Sequence, residues 1–97
     1  RVISLGGSHD YGYADGAAFL DAFRRSKKKP VIINFDAHLD CRPMHDGPSS
    51  GTPFFRLLSE FKKDFDLFEV GLQSVCNSRY YVEWAQSKGA RVFFIDE

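Results

Sequence analysis

The sequence predicts an α/β fold built on a parallel sheet, and three observations carry that reading. Short apolar runs alternate along the chain with segments of helical periodicity. The strongest run, Val31-Ile32-Ile33-Asn34-Phe35, is β-branched and nearly continuous, the pattern of a strand covered on both faces. The breakers Gly6-Gly7, Pro30, Pro53 and Gly89 fall at the ends of the segments.

Taken in order, residues 2–5 form a short apolar run closed by Gly6-Gly7, which suits a buried strand. Asp15 caps a helix carrying Phe19, Leu20 and Phe23, which ends in the basic run 24–29 and is stopped by Pro30. Residues 31–35 are the second strand. Residues 36–51 lack either periodicity and hold Pro43, Gly47, Pro48 and Gly51, so they form a loop. Thr52-Pro53 opens the next helix with a hydroxyl at the N-cap and a proline in the first turn. Phe54, Leu57, Leu58 and Phe61 then make an amphipathic stripe. Residues 67–70 are a third strand. Asn77 or Ser78 opens a helix bearing Tyr81, Val82 and Ala85, which Lys88-Gly89 closes with a cation and a C-terminal glycine. Residues 92–95 are the fourth strand.

Composition narrows the function. A chain of 97 residues is at most one small domain. Thirteen basic and thirteen acidic side chains cancel, which argues against a general nucleic-acid binder. No apolar run approaches the ~20 residues of a membrane helix, and no signal-peptide pattern is present. Cys41 and Cys76 form neither a CxxC pair nor a dense framework, and read as free thiols in a reducing compartment, the cytoplasm. The cluster at 24–29 is most simply a solvated helix end. The sequence enters an apolar run directly after Arg1 and stops as another ends. The expectation is that residues 1–97 are a single fragment of a larger domain.

The chemistry concentrates after the strongest strand, in Asp36-Ala37-His38-Leu39-Asp40. An extended backbone there points two carboxylates and an imidazole to one side, at the carboxyl end of a parallel strand, where open α/β sheets place ligands. Such a cluster is costly beside an apolar strand unless a cation compensates it, so a metal site is expected. The plainer alternative is two exposed acids with a hydrogen-bonded histidine between them. His9 follows the first strand and reaches the same sheet edge, with Gly6 and Gly7 letting the backbone pass close by. No GxGxxG or GK[ST] pattern is present, so no nucleotide loop is expected. His45 reads as a solvated loop histidine.

Gly6-Gly7-Ser8-His9-Asp10, Asn34-Phe35-Asp36-Ala37-His38-Leu39-Asp40 and Ser49-Ser50-Gly51-Thr52-Pro53-Phe54 together resemble three successive signatures of the ureohydrolase superfamily, which holds arginases, agmatinases and formimidoylglutamases. The resemblance implies a three-layer α/β/α fold with a parallel sheet and a dinuclear Mn2+ centre. It implies that His9, Asp36, His38 and Asp40 are metal ligands, with Asp36 bridging the two ions and Asp36 and His38 at the catalytic centre. Two further aspartates of an SxDxD motif have no counterpart in this sequence, so the segment by itself is expected to be inactive. Carboxylates and imidazoles suit Mn2+, and no thiolate set selects zinc.

Within the superfamily, Ser50-Gly51-Thr52-Pro53-Phe54 is most similar to the formimidoylglutamase branch, where arginases and agmatinases commonly have His at the position of Ser50. Arg42, two residues past Asp40, resembles the DxR of that branch and would pair with a substrate carboxylate. An ion pair from Arg42 to Asp46 is the alternative. The resemblance thus implies an enzyme acting on a small linear amidine. It would hydrolyse N-formimidoyl-L-glutamate to L-glutamate and formamide in histidine degradation, with Arg42 and Ser50 binding substrate and a homo-oligomeric assembly. The competing expectations are an agmatinase or guanidino-acid hydrolase, and a ureohydrolase-fold protein that binds a ligand or partner without catalysis.

Overall fold

The computed structural model describes residues 1–96. Its elements are α1 (Tyr11–Ala22), β1 (Val31–Phe35), α2 (Pro53–Phe61), β2 (Asp66–Leu72), α3 (Arg79–Ser87) and β3 (Arg91–Phe94), with single 3₁₀ turns at Lys62–Asp64 and Ser74–Cys76. The three strands form a parallel sheet in the order β1-β2-β3. Val31 pairs with Asp66 and Phe35 with Val70. A bulge at Gly71, where φ is +91°, shifts the β2–β3 register so that Leu72 meets Phe94.

Alternation sorts the sheet into two faces. Ile32, Asn34, Leu67, Glu69, Val92 and Phe94 turn inward. The stripe Phe54, Leu57, Leu58 and Phe61 of α2 is buried against them, with Leu20 of α1 and Val82 and Ala85 of α3. Phe55 and Trp84 stack at 4.7 Å and join α2 to α3. At Gly16 of α1 a Cβ would lie 2.7 Å from Leu57 Cδ1, so the missing side chain is what lets α1 approach α2. Helix α3 ends in a Schellman motif: Ala90 N–H donates to Ala85 O, Gly89 N–H donates to Gln86 O, and Gly89 has φ +98°.

Four expectations change. Residues 2–5 are no strand: Val2, Ile3 and Leu5 are 85–93% exposed, and no described strand supplies the ladder partner that an apolar run needs. Helix α1 starts at Tyr11 rather than Asp15 and stops at Ala22, before the basic run 24–29, whose crowded like charges disfavour a continued helix. Thr52 stands at the N-cap of α2, but its hydroxyl donates back to Ser49 O and leaves the helix end uncapped by a side chain. Strand β1 is covered on one face only, because all three helices contribute to the core on the inner side. The outer face presents Ile33, Phe35, Phe93 and Ile95, with Arg91 over the Phe68 ring. The described residues thus supply two layers, sheet and helices, of the parallel α/β arrangement.

Candidate metal centre

Strand β1 delivers its carboxyl end into the 36–40 segment. Asp36 N–H still donates to Val70 O at 3.1 Å, continuing the β1–β2 pairing past Phe35. The chain then leaves the extended conformation. Asp36 Oδ1 accepts from His38 N–H at 2.8 Å, which closes a tight turn. Asp40 adopts φ +52°, a left-handed conformation that aspartate tolerates better than most residues. Its carbonyl accepts from Phe54 N–H at 3.1 Å, which ties the turn to the start of α2. His9 lies in the turn ahead of α1, its ring edge-on to Phe54 at 5.7 Å.

These elements bring His9 to the two aspartates, although it arrives through the turn ahead of α1 and not from the end of a strand. His9 Nδ1 lies 3.1 Å from Asp36 Oδ2 and 2.5 Å from Asp40 Oδ2. Neither contact has hydrogen-bond geometry, and Asp40 Oδ2 is buried with no hydrogen-bond partner. One donor atom from each of His9, Asp36 and Asp40 falls within 4.8 Å of the others. Burial pushes the Asp40 carboxyl up to about 6; the Asp36 charge adds to the rise and His9 opposes it. An orphaned buried oxygen facing an imidazole nitrogen and a second carboxylate fits a divalent cation: two hard oxygens and one borderline nitrogen suit Mn2+.

His38 sits differently. Its Nδ1 is 3.3 Å from Asp36 Oδ1, but its side chain is 57% exposed and lies outside the three-donor cluster. The tight turn at Asp36 and the left-handed Asp40 break the alternation that would have aligned all three side chains. His38 instead lines a neighbouring cleft of about 460 Å³ together with Asp40, Arg42, Ser50, Asn77 and Tyr81. Arg42 and Ser50 therefore open onto the same space as the metal loop. Among the described residues no ion pair joins Arg42 to Asp46. The Arg42 side chain runs along Gly51, where a Cβ would meet its Cδ at 3.1 Å. His45 is exposed in the loop, as expected. Both cysteines are free, and burial raises the Cys41 thiol far above its ordinary range, so it is unreactive.

Two residues behind this centre have roles that went unread in the sequence. Glu69 is fully buried on the inner face of β2; Asn34 Nδ2 donates to its Oε2 at 2.8 Å, and Oε1 has no partner. The strand's own alternation carried the signal, since Glu69 has the same parity as Leu67. Asn77, a candidate opener of α3 whose segment 70–77 also resembles the formimidoylglutamase branch, has a further role, since its amide bonds the metal loop.

The arginase family's sequence model matches residues 1–97, the whole chain. The chain belongs to the arginase family. A formimidoylglutamase from Fusobacterium nucleatum is 31% identical over 99% of this chain and 32% of its own length. One from Citrobacter koseri is 36% identical over 95% of this chain and 29% of its own length. Among solved structures, formiminoglutamase from Trypanosoma cruzi with Mn2+ superposes with a TM-score of 0.79 at 32% identity, covering 95% of this chain and 31% of that one. Bacillus subtilis formimidoylglutamase superposes with a TM-score of 0.75 at 32% identity, covering 95% and 28%. The parallel α/β arrangement is thus the arginase-family fold. This arginase-family chain spans about three-tenths of the length of the curated relatives it matches. None of its described helices is long and apolar enough to cross a membrane.

Proposed function

We propose that this chain is part of a larger arginase-fold domain that hydrolyses N-formimidoyl-L-glutamate to L-glutamate and formamide at a dinuclear Mn2+ centre. The observation that carries the reading is the cleft that Arg42, without an ion pair among the described residues, lines together with Ser50, His38 and Asp40. The formimidoylglutamases among its relatives support the same substrate. His9, Asp36 and Asp40 would hold the metal, His38 would join them from the neighbouring cleft, and Asp36 and His38 would stand at the reacting centre. Divalent manganese supplies Lewis acidity and nucleophile activation at neutral pH.

The chain's own groups do the rest. Arg42 takes a substrate carboxylate and so orients the formimino group toward the metal loop, while Ser50 offers a hydroxyl to the same substrate. Water adds its oxygen to the formimino carbon, and the bond from that carbon to the glutamate nitrogen breaks. The nitrogen leaves with a proton as the free amine, and the carbon leaves as formamide. A free guanidinium in the cleft repels a cationic substrate such as agmatine, which separates this reading from an agmatinase.

The test compares Arg42→Ala with the unaltered full-length protein on formimidoylglutamate and on agmatine, with bound manganese measured in both. A lost charge-assisted contact of about 1.5–3 kcal/mol lowers kcat/KM on formimidoylglutamate by roughly one to two decades. The manganese content stays the same, because Arg42 is no ligand. Unchanged turnover in Arg42→Ala refutes the carboxylate contact, and a wild-type preference for agmatine refutes the substrate.

A further inference from the structure

The cross-strand backbone bonds of β1 run into the metal loop and end at Ala37, whose carbonyl accepts from Gln73 N–H. Beyond Ala37 no backbone hydrogen bond among the described residues joins the loop to β2 or to the turn that follows it. Past that point one side chain takes over. Asn77 Oδ1 accepts from Leu39 N–H at 2.8 Å, and Asn77 Nδ2 donates to Ala37 O at 2.8 Å and to Gln73 O at 2.7 Å. Gln73 N–H also donates to Ala37 O at 3.0 Å. Both amide hydrogens and the amide oxygen are therefore committed, and the reverse orientation of the amide would set a donor against a donor and an acceptor against two acceptors.

We propose that Asn77 is a positioning residue for the metal centre: its amide reinforces the last backbone bond at Ala37, supplies the partner that Leu39 N–H would otherwise lack, and so fixes the backbone on both sides of His38. Ala37 and Leu39 are the residues it grips, and His38 and Asp40 are the donors that follow them. The left-handed Asp40 is the position with most to lose, because it holds an uncommon conformation only while its neighbours fix the chain. Released from Asn77, the loop would have to be ordered by the metal itself, and affinity would fall. The inference rests on the metal centre but not on the identity of the substrate.

The experiment is a Mn2+ titration of the full-length protein, following free Mn2+ by electron paramagnetic resonance, on wild type, Asn77→Ser, Asn77→Asp and Ser74→Ala. Asn77→Ser is the mild variant, with a hydroxyl too short to reach the loop. Asn77→Asp keeps the acceptor for Leu39 N–H but turns an anion toward two carbonyl oxygens. Ser74→Ala is the control: it removes the hydroxyl that donates to Asp96 at 2.6 Å in the adjoining turn, with no bond to the metal loop. Circular dichroism of the metal-free proteins identifies the variants that are folded at the titration temperature. Removing a group that orients metal ligands typically costs 10–100-fold in affinity, and the folded Asn77 variants are expected to lose about that much. Ser74→Ala should stay within about twofold of wild type. A residue that merely stabilised the fold would lower the melting temperature and leave the affinity of the folded protein unmoved. Folded Asn77→Ser with wild-type Mn2+ affinity overturns the inference alone. A wild type that takes up no Mn2+ overturns the metal centre and this inference with it.

Discussion

Glu69 offers the sharpest physical test of the core. Burial pushes its carboxyl from an ordinary 4.5 up to about 8; the hydrogen bond from Asn34 opposes the rise, and the charges of Asp40 and Asp36 add to it. The folded protein therefore keeps a proton that the unfolded chain releases above its ordinary value. Below about 4.5 both states are protonated and Glu69 contributes no pH dependence. Between 4.5 and about 8 stability falls as pH rises, because only the native state still holds the proton. Above about 8 the loss is complete. At about 1.4 kcal/mol for each tenfold change in proton affinity, the full gap corresponds to roughly 5 kcal/mol. Glu69→Gln keeps the shape and the acceptor for Asn34 but cannot ionise. Its stability relative to wild type should climb by about 1.4 kcal/mol for each pH unit across that range and then level off. Urea unfolding of both metal-free proteins from pH 5 to pH 9 measures this, and taking the difference cancels the titrating groups that do not interact with Glu69. A difference independent of pH would mean that Glu69 ionises as it does in water, and the burial argument would be wrong.

Two further outcomes follow from the same geometry. Because Asp40 is pushed up to about 6 and must be ionised to bind a cation, Mn2+ affinity should be flat well above that value and fall about tenfold for each pH unit below it, measured by isothermal titration. Leu57→Ala should destabilise by about 2–5 kcal/mol, since Leu57 is fully buried where α1 and α2 meet; an unchanged denaturation midpoint would contradict the packing described for Gly16.

The elements that were legible in the sequence are those whose signals are local. The stripe of α2, the apolar run of β1 and the Lys88-Gly89 closure of α3 each specify themselves within a dozen residues. The convergence of His9 on Asp36 and Asp40, expected from a shared sheet edge, is reached by another route: the turn ahead of α1 delivers His9, since no strand precedes it among the described residues. Residues 2–5 failed because strand character without a ladder partner does not make a strand. His38 lies outside the three-donor cluster because the loop leaves the extended conformation at Asp36, whose carboxylate accepts the His38 N–H. The role of Asn77 was unreadable for a different reason. Its three partners include residues 38 and 40 positions away, and nothing in the local pattern distinguishes such an asparagine from an ordinary helix opener.

That separation along the chain has a thermodynamic consequence. His9, the 36–40 loop and Asn77 meet only once β1 has paired with β2. An unfolded chain holds these groups too far apart to act together, so the denatured ensemble has no comparable site. Whatever cation this cluster takes up therefore binds the native state almost exclusively, and its binding free energy is added to the fold. A hundredfold excess over the dissociation constant is worth about 2.7 kcal/mol. The acidic crowding at Asp36 and Asp40, which weakens the bare protein as carboxylates ionise, is the same feature that lets a bound cation hold the sheet edge together.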